Sequence, residues 1–397
     1  MSSPGGGYKL VDKILSDNWA EKESAVPERT DLNRAYTSSI KTLFKTNNAE
    51  LGERVYYFAG DAINNWVKFG KYTKDSSIWI GYNTNNESNN FASQSACESS
   101  EYNINCHLLY EAGDDIYWRI IRTNEETTGG GVRLLYSGTN PETIDGYIGF
   151  SKFNSSFNDP AYLGYMYGEI GKSDSQDRGT AHDSAIKTYI DSWYEDVFDG
   201  TNYENVIDTK AIYCNDRSVG NSFDYASDLE VKDIYYGFKN RITEPSYACN
   251  VTSLGYNNYF NSDTDALRKN DRFSVDNEYG NGALIYNVAL MTADEVVFAG
   301  GKSSVNNQNA WYYLNAKVIP NSITANRQWW TMSPSAYYGA RLALSWLVYG
   351  STQPGQLKYH YGVVLLSAVR PVLSLKSTTM WASGDGTASN PYRIVEN

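Results

Sequence analysis

At 397 residues, with 41% hydrophobic and 20% charged side chains, the chain has the composition of a folded globular protein rather than a disordered one. Its formal net charge of −12 argues against a general binder of nucleic acid or anionic membrane, since such partners require clustered Lys and Arg. No uninterrupted apolar run of about 18 residues is present, so direct membrane insertion is not expected.

The opening Met-Ser-Ser-Pro-Gly-Gly-Gly reads as an added junction, which predicts that a native leader or anchor has been removed. Residues 1–50 are expected to form a helical N-terminal extension or stalk remnant. "YKLVDKILSDNWAEK" sets Leu10, Val11, Ile14 and Leu15 on one stripe, and "DLNRAYTSSIKTLF" does the same with Leu32, Tyr36, Ile40 and Leu43. One large domain is expected over 51–397. It begins with short β-branched and aromatic runs between Asn, Gly and Ser turns: "RVYYFAG", "NWVKFGKY", "SIWIGY", "DDIYWRIIRTN" and "GVRLLYSG". "NEETTGGG" between the last two predicts a hairpin loop.

A helix follows in "HDSAIKTYIDSWYEDVFDG". Asp183 or Ser184 is its N-cap, Ile186, Tyr189, Ile190, Trp193 and Val197 form its apolar stripe, and Gly200 is its stop. A shorter helix is expected in "MTADEVVFAGG", where Thr292 and Glu295 have capping-box spacing and Gly300-Gly301 end it. Polar stretches such as "NSDTDALRKNDRFSVDNEYGNG" read as irregular backbone, and the last third returns to short strands. The class is therefore α+β with a high loop content.

The four cysteines fall into two local groups, Cys97 with Cys106 and Cys214 with Cys249. An even count at these separations suits two disulfides closing local loops in an oxidising compartment, with four inert buried thiols as the alternative. No Cys-x-x-Cys occurs and the only histidines are His107, His182 and His360, so no zinc site is expected. The 34 tyrosines and 10 tryptophans suit an exposed recognition surface as well as ordinary β-rich packing.

Motifs of enzymatic chemistry are not found: no Walker sequence, G-x-G-x-x-G, H-E-x-x-H or G-x-S-x-G. His182-Asp183 reads as a helix start, Asp114-Asp115 as a turn before a strand, and Asp294-Glu295 as first-turn residues favoured by the helix dipole. Asp263, Asp265 and Asp271 lack EF-hand spacing and are expected in a solvated loop rather than around calcium. The chain is read as non-enzymatic, with no cofactor and no metal.

One segment departs from the rest. Asp, Glu and Asn make up about a fifth of the chain, yet none occurs from Ala336 to Ala368. In "RLALSWLVY", Leu342, Leu344, Trp346 and Val348 share one strand face while Arg341, Leu347 and Tyr349 share the other. Either the strand is buried on both sides, or part of it is an exposed patch of the residue types that dominate binding surfaces. The second option divides the segment. Trp329, Trp330, Pro334, Arg370 and Pro371 would be scaffold. Tyr337, Tyr338, Arg341, Leu342, Leu344, Leu347, Tyr349, Tyr359, His360, Tyr361, Leu365 and Leu366 would form a ligand-binding face, with Leu342 and Leu344 shared uneasily with the Trp346 parity.

"DIYWRIIRTN…VRLLYSG", "FNDPAYLGYMYG", "SAIKTYIDSWYED", "AIYCNDRS", "NVALMTADEVVFAGG", "WWTMSPS", "VRPVLSL" and "GDGTASNPYRI" occur in that order. The series resembles a family of secreted or surface proteins of Gram-positive-type gut bacteria with a C-type-lectin-like ligand-binding domain, and it covers most of the chain after residue 50. The resemblance implies two helices, small antiparallel sheets and long structured loops, displayed outside the cell, at its surface or on a pilus. More narrowly, residues 336–368 look like the variable segment of a protein diversified by a retroelement. In such systems an error-prone reverse transcriptase rewrites adenines, and adenine-rich Asn codons change most. Those variable segments usually finish near the C-terminus, whereas "KSTTMWASGDGTASNPYRIVEN" follows here. A fixed-sequence adhesin or minor pilin of the same fold is therefore the first alternative. An enzyme on a formylglycine-generating-enzyme-like fold is the second, and it needs a reactive cysteine pair or metal that residues 329–375 do not offer. The expected partner is a protein on another cell or phage rather than a carbohydrate, because no Glu-Pro-Asn-type sugar triplet is visible.

Overall fold

The aromatic and β-branched runs before residue 140 form strands because each can bury one or both faces against a common core. In the computed structural model, which describes residues 7–18, 26–36, 42–74, 77–85, 87–126, 130–142, 145–172, 174–219, 234–249, 265–313, 328–338, 342–350 and 353–395, they join a nine-stranded sheet. Its main path runs Val288–Leu290, Pro371–Leu375, Val132–Tyr136, Asp115–Thr123, Trp66–Lys71, Tyr392–Ile394 and Trp381–Ser383, with Val55–Phe58 and Leu43–Thr46 branching from Asp115–Thr123. Thr123 pairs with Val132 in antiparallel register, so the stretch expected as a hairpin loop does join two paired strands. The architecture is mixed α+β, rich in sheet and sparse in helix, without a closed barrel.

A second, six-stranded sheet carries the acid-free segment. Its order is Leu357–Gly362, Leu342–Val348, Trp329–Tyr338, Ser367–Ala368 and Phe150–Ser151, and Ile234–Tyr235 pairs with the end of Trp329–Tyr338. A three-stranded sheet of Ser88–Phe91, Ile78–Tyr82 and Ile104–Tyr110 lies apart, tied to the Gln94–Glu98 helix by the Cys97–Cys106 disulfide.

Both expected helices form with their expected signals. In Ala185–Val197 the Ser184 hydroxyl accepts the Lys187 N–H, and Ile186, Ile190, Trp193 and Val197 are buried. Trp193 packs edge-on against Tyr136 and Trp118, which docks the helix on the nine-stranded sheet. Ala293–Phe298 has both halves of the capping box between Thr292 and Glu295, and Gly300 follows at φ +105°, a left-handed conformation that stops the helix at little cost for glycine.

The N-terminal expectation needs correction. Leu10–Asn18 is helical, but residues 32–36 follow turns and irregular backbone, and Leu43–Thr46 is a strand paired with Val55–Phe58. Ile40 lies outside the described residues. The helical spacing of Leu32, Tyr36 and Leu43 was outcompeted by a sheet edge that offers the backbone partners and buries Leu43 and Phe44. Nor does this stretch stand off as a stalk. Leu10, Ile14, Val26 and Leu43 join the main core, and Arg29 donates to the carbonyls of Val297 and Phe298 at the C-terminal end of a helix.

Candidate binding surface

Trp329–Tyr338 sits in the middle of its sheet and is covered on both sides, so the side chains of its first nine residues are buried. On one face Trp330 packs 5.8 Å from Phe153 and its indole N–H donates to the Ser151 carbonyl at 2.9 Å. On the other, Phe238 stands edge-on to Trp346 at 4.9 Å. Buried polar groups here must find partners, and several do so within the sheet. Thr331 donates to Trp346 O at 2.8 Å, Ser345 to Ser333 O at 2.9 Å, and Asn215 to Met332 O at 2.7 Å. The scaffold residues behave as expected: Trp329, Trp330, Pro334, Arg370 and Pro371 are all buried. Arg370 holds the two sheets together, donating to Tyr136 O and Ser137 Oγ at 3.0 Å and to Tyr312 O, with its guanidinium 5.1 Å from the Trp329 ring. Burial pulls its pKa down to about 9, so it remains charged at neutral pH.

Three residues expected on the display face belong to the core instead. Tyr337 lies opposite Ala343, on the side covered by residues 153–163, and its hydroxyl donates to Asn158 O at 3.0 Å. Leu347 pairs across from Trp330 and shares its buried side. Leu344 follows the parity of Trp346 and is 2% exposed. For these three, the expectation failed because the strand is buried on both faces. Arg341 lies outside the described residues, as does the side chain of His360, whose backbone is in Leu357–Gly362.

The remaining residues form two partly exposed clusters, on the edge strand Leu357–Gly362, at the ends of the two strands beside it and in the turn that follows. Tyr349 and Tyr361 share the Trp330 side. Lys358 Nζ lies 5.8 Å from the Tyr349 ring, and the Tyr361 ring is 5.6 Å from Trp330, with its hydroxyl bonded to Gln328. Burial raises the Tyr361 pKa, and the Gln328 bond opposes that rise. On the opposite side Tyr338, Leu342 and Tyr359 remain partly solvated. Leu342 and Leu365 converge over Gly362, each with a methyl 3.8 Å from where a Cβ would sit. Leu365 and Leu366 are 46% and 38% exposed, unusual for leucines so close to a core.

Two residues that sequence reasoning did not place on this surface complete it. Tyr235 pairs with Ala336 and its ring lies 6.5 Å from that of Tyr338. Lys239, on the following Gly237–Arg241 helix, brings Nζ to 3.7 Å from the Tyr359 ring centroid and 5.3 Å from that of Tyr235. Nothing local in "DIYYGFKN" signals this role; about a hundred residues separate it from the strand it joins. Gly237 is needed there, since a Cβ would fall 2.5 Å from Asp216 Oδ2.

The carboxylates flagged in the sequence are structural. Asp114 closes a turn by accepting the Glu111 N–H, and Asp115 pairs with Lys68. His182 and Asp183 are exposed in a two-residue strand just before the helix cap. Glu295 is buried between Arg122 and Arg133 at 3.1 and 2.9 Å, and Arg122 also meets Glu125 at 3.1 Å. Burial alone would raise the Glu295 pKa, but the two arginines and the Thr292 N–H outweigh it and leave the carboxylate more acidic than usual. Arg122, Arg133 and Glu295 also line a small pocket of about 10 Å³, walled by Cys214, Tyr247 and Asp294. Asp263 lies outside the described residues, and Asp265 lies on a helix, with its side chain not described. Asp271 is a correction: instead of a solvated loop it is fully buried, paired with Arg217 Nε at 2.7 Å and with Arg178.

Both expected disulfides are present, Cys97–Cys106 and Cys214–Cys249, and no cysteine is free. No described helix is long and apolar enough to cross a membrane. Comparison with known proteins finds no family model, no curated protein and no solved structure that matches this chain.

Proposed function

We propose that this chain is a non-enzymatic, extracellularly displayed ligand-binding protein with a C-type-lectin-like domain, whose binding face is the free edge of the six-stranded sheet and is diversified by a retroelement. One observation carries the proposal. Within a single segment free of Asp, Glu and Asn, Tyr338, Leu342, Tyr349, Tyr359, Tyr361, Leu365 and Leu366 keep solvent contact while their neighbours are locked into a core. Replaceable side chains on a rigid frame are what a tolerant recognition surface requires. The aromatic and aliphatic content favours a protein ligand over a sugar. Two disulfides are compatible with an oxidising exterior, and they consume the thiols that a cysteine-dependent enzyme would need.

Sequencing the gene and its flanks across independent isolates tests the proposal. The expected result is a neighbouring reverse-transcriptase gene and a near-copy of the 336–368 coding stretch that differs at adenines. Variation should be confined to the solvent-touching positions and spare Trp330, Tyr337, Leu344 and Leu347. An invariant segment without such a copy would replace retroelement diversification with the fixed-sequence adhesin. That reading is favoured by one observation: Trp381–Ser383 and Tyr392–Ile394 follow the segment and complete the nine-stranded sheet.

A further inference from the structure

Lys239 stands apart from the cations of the carboxylate networks. Arg122, Arg133, Arg178, Arg217 and Lys187 all meet carboxylates. Lys239 meets only ring faces: Tyr359 at 3.7 Å and Tyr235 at 5.3 Å, with no carboxylate in ion-pair reach among the described residues. A cation over an aromatic face gains part of the energy it loses on leaving water, and a desolvated ammonium gains most. The rings therefore fix Nζ in position without neutralising it. Burial accordingly lowers the Lys239 pKa, and no acid among the described residues offsets it.

The surroundings sharpen the contrast. The chain carries a net charge of −12, yet residues 336–368 hold no acid, and from Tyr235 the apolar surface continues through Tyr338 to its strand partner Leu342 and on to Leu365. An acidic ligand is repelled by the general surface and meets here an aromatic patch whose described residues include a preset cation and no acid. Charge of this kind selects partner and register more than it adds raw affinity.

Resting on the ligand-binding reading above, we propose that the partner of this face is an acidic segment of another protein, with a carboxylate on Lys239 Nζ and an apolar neighbour against Leu342 and Leu365. Tyr235 and Tyr359 act as positioning residues for the ammonium, so a fixed residue outside the acid-free segment sets the ligand's charge while the segment's own side chains set its shape.

The test uses the full chain, immobilised and panned against a random linear-peptide library on phage, with a glycan array in parallel. Enriched peptides are expected to carry Asp or Glu beside an apolar residue and to lose affinity as ionic strength rises. Lys239→Met, which keeps the aliphatic stem on Tyr359, should weaken them about tenfold or more, while Lys239→Arg should retain most of the binding. Peptides that depend on Tyr338→Ala and Leu365→Ser but are neutral, or indifferent to Lys239→Met, overturn the acidic partner and leave the binding face standing. Peptides indifferent to all of these variants, or no enriched peptide, overturn both. A glycan whose binding is abolished by Tyr359→Ala overturns the protein class of ligand.

Discussion

Leu342–Val348 and Leu357–Gly362 are neighbouring strands of one sheet, both without Asp, Glu or Asn, and they exclude these residues for different reasons. The first is covered on both faces, by Trp330 and Phe153 on one side and by Phe238 on the other, and an unpaired carboxylate there would be prohibitively desolvated. The second lies at the sheet edge with Tyr359 and Tyr361 partly solvated, where a carboxylate would cost less. The same composition therefore reports a core in one strand and a surface chosen for something other than solubility in the next.

The sharpest way to break this comparison is to truncate the covered strand pair. Trp330→Ala should cost about 3–5 kcal/mol and Leu347→Ala about 2–5 kcal/mol, read as lowered denaturant midpoints with an unchanged slope. If Leu347→Ala costs no more than an edge substitution, the two strands do not differ as described.

Asp208 measures what a carboxylate pays when burial is imposed on it elsewhere. It is 4% exposed; Oδ1 accepts the Lys210 N–H, and Oδ2 has no hydrogen-bond partner among the described residues. Burial pushes its pKa from 3.8 up to about 6, against the Lys210 N–H and Arg133, which lower it. Between those values the folded state holds a proton that the unfolded state has released. Stability from this group is therefore greatest below about pH 4, falls as pH rises, and reaches its full penalty above about pH 6, of order 3 kcal/mol. Asp208→Asn should raise stability at pH 7.5 by up to about that amount and flatten the pH 4–6 slope. Thermal melts across that range check it, and an unchanged slope would remove Asp208 as its source.

The smallest effects belong to the edge. Leu365→Ser and Leu366→Ser should each change stability by less than about 1 kcal/mol, because little apolar area leaves water at these sites on folding. A loss comparable to Leu347→Ala at either of them would move that residue from display to scaffold.

Much of this was legible because it is local. The Ser184 cap, the Thr292–Glu295 box and the Gly300 stop depend on residues within a turn or two, and a short chain of bonded neighbours decides them. The hairpin between Thr123 and Val132 and the two short-range cysteine groupings are of the same kind. The fate of "DLNRAYTSSIKTLF" was not legible, because its helical spacing competed with a strand partner at Val55–Phe58 that local propensity cannot weigh. For the site, strand parity separated Trp346 from Tyr349, but parity cannot say whether one face or two will be covered. That is why Tyr337, Leu344 and Leu347 were misplaced.

By itself, then, the sequence determined an α+β chain with two capped helices, two local cysteine groups and one anomalous segment whose missing acids mark it as different. Only the tertiary structure decided what the difference means residue by residue. Burial is a property of what packs against a strand, and here Phe153, Phe238 and Asn158, all distant in sequence, bury one half of the segment. Tyr235 and Lys239, equally distant, join the half that stays in water.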